Sequence, residues 1–203
     1  PAKSNIVSAR MTKRRYKHVD LIVEQGATSG ALFMILSGKA RVLSHDQRGR
    51  EVIIATLDTG DCIGEMSLID GEPHSATVRT ETPTDVLVLG HEAFLRCLRE
   101  NIAMADAVMR GLVRRLRRAD KQILSLALMD VYGRVMHVLQ DLSQQDADGN
   151  RILRTKVSRQ DVAKMVGASR EMVSRVMKHF EASGVLIKQE DGSFLLKGGQ
   201  SLG

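Results

Sequence analysis

The stretch from Val157 to Lys178 constrains the fold more than any other part of the sequence, because it predicts two short helices with almost no connection between them. Ser158 and Asp161 form an S-x-x-D capping box, which satisfies free amide donors at the start of a helix. Gly167 suits the left-handed residue that ends a helix, and Ser169 is a favourable cap for the next one. This order of elements predicts a helix-turn-helix unit.

The second helix of this unit has an apolar side and a charged side. The apolar stripe at helical spacing consists of Val173, Val176, Met177 and Phe180. The opposite side carries Arg170, Glu171, Ser174, Arg175 and Lys178. Two guanidinium groups and a carboxylate on one face can contact guanine and cytosine edges in the major groove of DNA. The alternative is a charged face that contacts only solvent.

We therefore predict a surface that binds double-stranded DNA. Besides the charged side of the second helix, it includes the residues at the two helix starts, namely Ser158, Arg159 and Ser169. Ser158 and Arg159 would hold phosphates and fix the register without specifying bases. The formal net charge of +6 also favours a polyanionic partner.

The composition excludes several other classes of protein. With 203 residues, 43% of them hydrophobic, the chain is long enough for a core and two modest domains. No apolar run approaches the roughly 20 residues of a membrane span, and no secretory segment opens the sequence, so we expect a cytoplasmic location. Cys62 and Cys97 have neither disulfide nor metal-site spacing, and we expect two buried reduced thiols.

The first half of the chain has the pattern of a β-structure. Short apolar runs between glycine turns predict strands at Leu21–Val23, Leu32–Leu36, Ala40–Leu43, Val52–Leu57 and Val86–Leu89. Strands at this spacing indicate a barrel or roll. For the basic residues before Asp20 we expect a short helix and a solvated lead-in to the first strand, and the alternative is an arm that binds nucleic acid.

A long helical pattern follows, from about Glu92 to Met129. Its apolar residues recur every three or four positions and form a seam typical of coiled coils: Met109, Leu112, Leu116, Ala119, Ile123 and Leu126. The pattern is compatible with a helix that packs on its own roll or with one that pairs with a second copy. Beyond it, a polar loop is predicted at Leu142–Asn150, and Asp191-Gly192 predicts a hairpin, the wing of a winged helix.

These parts, in this order, resemble the cAMP receptor protein/FNR (CRP/FNR) family of bacterial transcription regulators. The resemblance lies in LFMILSGKARV and GDCIGEMSLIDGEPHSATV, then in LALMDVYGRVMHVL and VSRQDVAKMVGASREMVSR, and covers nearly the whole chain. It implies an α+β fold with a cyclic-nucleotide-binding-like β-roll (a double-stranded β-helix) at residues 1–97, a dimerisation helix at 98–129 and a winged helix-turn-helix domain at 130–203. It also implies a homodimer that pairs through Met109, Leu112, Leu116, Ile123 and Leu126.

The resemblance further implies an effector site in the roll, where a glycine followed by a helix start exposes amides that can cradle a phosphate. Its residues are Gly64, Glu65, Met66, Ser67, His74 and Ser75, with Ala119 and Asp120 on the long helix. Glu65 would hold a ribose hydroxyl, and the amides of Glu65 and Met66 would meet the phosphate.

Two positions depart from the family pattern. His74 stands where the family has a phosphate-pairing arginine, and a histidine that is mostly neutral at pH 7 lacks the planar fork. That loss should cost about 1.5–3 kcal/mol. Ala119-Asp120 stands where the cAMP receptors carry Thr-Ser. The two replacements argue against ordinary cAMP control and leave two alternatives: another small ligand, for example a different nucleotide such as cyclic di-GMP, or activity without a ligand.

The sequence thus predicts a dimeric, sequence-specific transcription regulator. The segment Arg170-Glu171-Met172-Val173-Ser174-Arg175 satisfies both the R-E-x-x-x-R pattern of the cAMP receptors and the E-x-x-S-R pattern of the FNR branch. The resemblance therefore implies palindromic sites with TGTGA-like half-sites, and RNA polymerase as a partner. The alternative is a nucleotide-binding scaffold module that controls a protein partner. An enzyme has the least support, because the sequence shows no nucleophile–base pair, metal-ligand set or Walker loop.

Overall fold

The computed structural model describes residues 11–146, 150–153 and 158–197, which group into two compact units, one ending at Ala119 and the other starting at Asp120. The predicted α+β fold is confirmed: the first unit contains a β-roll and the second a winged helix-turn-helix. The predicted domain boundaries after residues 97 and 129 stay predictions. The basic residues before Met11, the middle of the polar loop and Val157 lie outside the described residues.

Two antiparallel sheets form the roll in the described part of the first unit. Their strands are β1 (Met11–Tyr16), β2 (Leu21–Val23), β3 (Ala31–Ser37), β4 (Ala40–His45), β5 (Glu51–Leu57), β6 (Cys62–Ile63), β7 (Thr77–Thr80) and β8 (Thr84–Gly90). One sheet has the order β1-β8-β3-β6 and the other β2-β7-β4-β5. Phe33, Ile35, Leu57 and Val86 are buried in the core of the roll. The five predicted strands are all present, with ends that differ by at most two residues.

From Met11 to Tyr16, the edge strand β1 corrects the expectation of a helix and lead-in before Asp20, and the part of that expectation before Met11 lies outside the described residues. It pairs antiparallel with β8, with Met11 opposite Leu89 and Tyr16 opposite Thr84. Asp85 on β8 lies 2.8 Å from the Lys13 ammonium, which offsets part of the positive charge on β1. Charged side chains are common on edge strands because they discourage pairing with other chains, and here they obscure the apolar alternation that would have indicated a strand.

Three described helices begin in the first unit, namely α1 (Glu65–Asp70), α2 (His91–Glu100) and α3 (Ile102–Leu128). The continuous helix expected from Glu92 to Met129 is wrong, because Asn101 is extended (φ −131°, ψ 96°) and separates α2 from α3. The Asn101 side chain accepts a hydrogen bond from the Met104 amide at 3.3 Å. An asparagine that caps a helix in this way starts a new helix rather than continuing the old one.

Helix α3 carries the predicted apolar seam, and none of its residues is buried. Met109, Leu116, Ile123 and Leu126 are 57%, 63%, 63% and 58% exposed, while Leu112 is half-buried. Within the described chain the seam is therefore largely uncovered. The boundary between the two units falls inside α3.

The described elements of the second unit are α4 (Val131–Leu142), β9 (Gln144–Gln145), β10 (Arg151–Leu153), α5 (Arg159–Val166), α6 (Arg170–Ala182), β11 (Leu186–Lys188) and β12 (Phe194–Leu196). The predicted hairpin is confirmed by the antiparallel pairing of β11 with β12. The loop expected from Leu142 includes the short strand β9, which pairs with β10. Val135, Leu139, Val162, Val173 and Phe180 are core residues of this unit.

The described residues include both cysteines, and they also show whether groups of metal-binding side chains or helices that could cross a membrane occur among them. Cys62 and Cys97 are free thiols, but both are half-buried rather than buried as expected. Both pack against the buried cluster of Leu32, Leu68, Leu89 and Phe94. No group of three or more metal-binding side chains occurs in the described ranges. Nor does any helix described here have the length and apolarity to cross a membrane.

Candidate functional site

The helix-turn-helix unit has the local geometry that its sequence predicts. The Ser158 hydroxyl accepts a hydrogen bond from the Asp161 amide at 3.0 Å, which caps the start of α5. Gly167 ends α5 in the left-handed region (φ 64°, ψ 41°), where a side chain would be strained. The Ser169 hydroxyl accepts from the Met172 amide at 3.2 Å and starts α6. The two helices are therefore separated by a single tight turn.

Helix α6 presents its charged side to solvent. Val173, Met177 and Phe180 are buried, whereas the predicted contact residues Arg170, Glu171, Arg175 and Lys178 are exposed and Ser174 is half-buried. Hydrogen bonds from its own amide and from the Ser169 hydroxyl hold the pKa of Glu171 below its usual range. Glu171 is therefore an ionised acceptor at neutral pH, suited to an amino group on a base edge.

Arg159, predicted to hold a phosphate, lies beside an acid of its own chain. Its guanidinium is 3.6 Å from the Glu181 carboxylate near the end of α6. Both side chains are partly exposed, and an ion pair of this kind contributes about 0–1 kcal/mol. A phosphate that binds Arg159 has only this weak pair to displace. Ser158 and Ser169 are exposed, although their hydroxyls serve as helix caps.

Two residues that support the unit were not identified from the sequence. Arg134 donates to the carbonyl of Val166 at 3.1 Å and to the carbonyl of Met129 at 2.9 Å, so it satisfies an acceptor at the end of α5. Tyr132 packs edge-on against Phe180 with ring centroids 4.5 Å apart. Both contacts join α4 to the helix-turn-helix. Their partners in the helix-turn-helix, Val166 and Phe180, lie more than thirty residues away, and no local pattern signals them.

The loop before α1 has the backbone that the predicted effector site needs. Gly64 has φ 87°, and a Cβ at this position would lie 2.9 Å from the Ala31 carbonyl oxygen. Only glycine fits this turn, which leads directly into the α1 helix. Met66 and Ser75 are exposed, Ser67 is half-buried and Glu65 is buried.

Glu65 is paired with an arginine of α3 that sequence reasoning did not single out. Its Oε1 accepts from Arg115 Nη1 at 2.6 Å, and Arg115 Nη2 donates to the Cys62 carbonyl at 2.7 Å. Burial raises the pKa of the Glu65 carboxyl, while the charge of Arg115 opposes that shift. Oε2 of Glu65 is buried and has no hydrogen-bond partner among the described residues. A buried acceptor without a donor is costly, and a ligand hydroxyl would satisfy it.

His74 is buried and contacts both the loop that contains Ser29 and helix α1, which contains Ser67. Its Nε2 lies 2.8 Å from the Ser29 hydroxyl, and its Nδ1 lies 3.0 Å from the Ser67 hydroxyl. Burial lowers the pKa of the His74 imidazole, so the ring is neutral at pH 7 and can donate from one nitrogen while it accepts at the other. Both nitrogens are thus occupied by serines, and the residue offers neither charge nor a free donor to a phosphate.

Ala119 and Asp120 are both exposed on α3. The structure therefore places Gly64, Glu65, Ser67 and His74 around one loop of the roll.

Comparisons with known proteins agree with this architecture. Residues 13–101 match the family model of the cyclic nucleotide-binding domain, and residues 133–197 match the Crp-like helix-turn-helix domain. The chain is 35% identical over 187 residues to the cAMP-activated global transcriptional regulator Vfr of Pseudomonas aeruginosa, which covers 88% of this chain and 86% of Vfr. It is 32% identical over 178 residues to CRP of Salmonella typhimurium, with 85% and 83% covered.

Among solved structures, the c-di-GMP responsive global regulator CLP of Xanthomonas campestris aligns with a TM-score of 0.82 and 27% identity, covering 98% of this chain and 100% of CLP. An effector-binding roll followed by a winged helix-turn-helix defines a class of ligand-responsive transcription regulators. This chain belongs to that class, and specifically to the CRP/FNR family of transcription regulators. The predicted membership of this family and the predicted general function, a DNA-binding transcription regulator, are confirmed.

Proposed function

We propose that this regulator acts as a homodimer that pairs through α3. The apolar seam from Met109 to Leu126 is mostly exposed in the single chain. Burial of apolar surface contributes roughly 25 cal/mol per Å², so a second copy of the same seam would gain free energy by covering it. A two-fold axis also places two α6 helices on two half-sites about one helical turn of DNA apart.

The proposed DNA site is a palindrome with TGTGA-like half-sites. Arg170 and Arg175 can each form a fork of hydrogen bonds to guanine, and Glu171 can accept from the amino group of cytosine. The observation that carries this proposal is the exposure of these three side chains on the side of α6 opposite buried Val173 and Phe180. Arg170 is the residue that favours a guanine in the variable position of the half-site.

Arg170→Ala is expected to weaken binding to a TGTGA-type site by about 1–3 kcal/mol and to change binding to a TTGAT-type site little, because only the first site offers the extra guanine. The measurement is selection from random duplex DNA, followed by titration of both sites at one fixed salt concentration. Arg48→Ala, an exposed arginine in the turn between β4 and β5, is the control and should change neither affinity. A selected site without a TGA core, or an equal loss on all sequences, would contradict base recognition by Arg170.

We also propose that the roll binds a nucleotide second messenger. The unpartnered Oε2 of Glu65 and the amides that follow Gly64 support a ligand with a hydroxyl and a phosphate. Vfr and CRP are named as cAMP-activated and CLP as c-di-GMP responsive. Because both nitrogens of His74 are occupied and Asp120 adds a negative charge, we expect weak cAMP binding, with cyclic di-GMP as the alternative effector.

His74→Arg is expected to tighten the binding of cAMP by about one to two decades, since it restores a charge-assisted pair with the phosphate. Calorimetry with cAMP and with cyclic di-GMP on both forms provides the measurement. His45→Arg, which adds the same charge at an exposed position on β4, is the control. Submicromolar cAMP binding by the unmodified protein, or an equal gain in the control, would show that His74 does not limit phosphate binding.

RNA polymerase is the protein partner that we propose for this regulator, and the cytoplasm is its proposed location. Both proposals follow from its membership of a family of transcription regulators, because regulation of transcription requires access to the chromosome and to the polymerase. Whether the protein activates or represses its targets depends on where its sites lie relative to promoters.

A further inference from the structure

The seam of α3 defines a register for pairing with a second copy. Its apolar residues alternate at spacings of three and four and occupy positions a and d of consecutive heptads: Met109, Leu112, Leu116, Ala119, Ile123 and Leu126. In this register Arg115 is at position g and Asp120 is at position e of the next heptad. In a parallel two-stranded coiled coil, position g of one helix faces position e in the next heptad of its partner.

This register contains one pair of opposite charges at the g and e positions that flank the seam. The preceding g and e positions are Val108 and Val113, and the following ones are Gln122 and Ala127, so neither brings two charges together. Only the central pair joins a cation to an anion. In a symmetric dimer it occurs twice, and both occurrences are attractive.

Both members of this pair are available for a contact with another chain. Asp120 is exposed, and its carboxylate has no hydrogen bond or ion pair within the described part of its own chain. The Arg115 side chain is 36% exposed, although its partner Glu65 is only 5% exposed. A guanidinium has five N–H donors, and the contacts with Glu65 and the Cys62 carbonyl leave donors for a second carboxylate.

We propose that Asp120 of the partner subunit pairs with Arg115 and supplies a fixed anion beside each effector site. The inference rests on the proposed homodimer and adds a residue that crosses from one protomer to the other. It links the dimer contact to the effector loop, because the same guanidinium holds buried Glu65. It also affects specificity: a ligand phosphate placed against Arg115 would meet a carboxylate that already neutralises the arginine, so a bound nucleotide is expected to direct its phosphate to the amides after Gly64 and not to Arg115.

A charge-exchange experiment tests this pair in the full-length protein. Arg115→Glu and Asp120→Arg are prepared as separate chains with different tags, mixed, and the dimers are counted by native mass spectrometry. Each homodimer contains two repulsive pairs, whereas the mixed dimer contains two attractive ones. With equal amounts of the two chains, the squared concentration of the mixed dimer divided by the product of the two homodimer concentrations is therefore expected to exceed its statistical value of about 4 by about tenfold. Arg118→Glu, at position c outside the seam, is mixed with Asp120→Arg as the control and should give the statistical distribution.

Arg115→Glu also places a second acid beside Glu65, so Asp120→Arg is tested alone as well. Its homodimer is expected to dissociate about tenfold more readily than that of Asp120→Asn, which only removes the charge. A statistical mixture in the main experiment, with dimers intact, would overturn the pair while the homodimer proposal stands. A monomeric unmodified protein would instead overturn the homodimer, and the pair with it.

Discussion

Leu116→Glu is expected to turn the dimer into a monomer and, as a result, to abolish tight binding to a palindromic site. Leu116 lies in the middle of the exposed seam of α3. In a dimer, the change would place two carboxylates in an apolar interface, which costs on the order of 4 kcal/mol, or about three decades in the dissociation constant. Sedimentation at several protein concentrations measures the change directly.

Lys121→Glu is the matched control for this prediction. It introduces the same carboxylate one turn further along α3, at an exposed position outside the seam, and should leave the dimer intact. Titration with a single half-site and with the full palindrome separates a loss of dimer from a loss of DNA contacts, because the monomer retains its α6 surface. If Leu116→Glu remains fully dimeric, the assignment of this seam as the dimer interface is wrong.

Phe180→Ala is expected to destabilise the second unit by about 3–5 kcal/mol, the usual cost of removing a large aromatic side chain from a core. Phe180 is fully buried in the α4, α5 and α6 core and packs edge-on against Tyr132 at 4.5 Å. Loss of this contact should reduce DNA binding by lowering the folded fraction, although Phe180 itself lies opposite the charged side of α6.

The sequence permits a specific measurement of this unfolding. The chain has two tyrosines and no tryptophan, so in a Tyr16→Phe background the fluorescence of Tyr132 reports on the second unit alone. Met172→Ala, on the exposed side of the same helix, is the control and should change the free energy of unfolding by no more than about 0.5 kcal/mol. Equal losses in the two variants would mean that Phe180 packing does not hold this unit together.

Much of the fold was predictable because its signals are local. The caps at Ser158 and Ser169 and the left-handed Gly167 specify the helix-turn-helix within a few residues, and the structure has all three as predicted. Strand β1 was missed because its pairing with β8 bridges about seventy residues and its side chains are charged. The break at Asn101 was missed because the apolar period continues on both sides of it.

The effector site was only partly predictable for the same reason. Gly64 and Glu65 follow from a recognisable motif, but the choice of Arg115 among the basic residues that flank the seam depends on how α3 lies against the loop of the roll. The Ser29 partner of His74 lies 45 positions earlier in the chain, where nothing distinguishes it from other loop serines. Contacts between distant segments depend on tertiary structure, which local patterns do not encode.

Helix α3 buries none of its residues within a single chain, and in the proposed homodimer this would make the abundance of the protein an input that requires no small molecule. If α3 must pair with a second copy before the protein can bind a palindrome, the abundance of the protein sets the fraction of its chains that are in binding-competent dimers. At concentrations well below the dissociation constant, the concentration of dimers grows with the square of the amount synthesised. A modest change in expression of the regulator would then produce a disproportionately large change in occupancy of its sites.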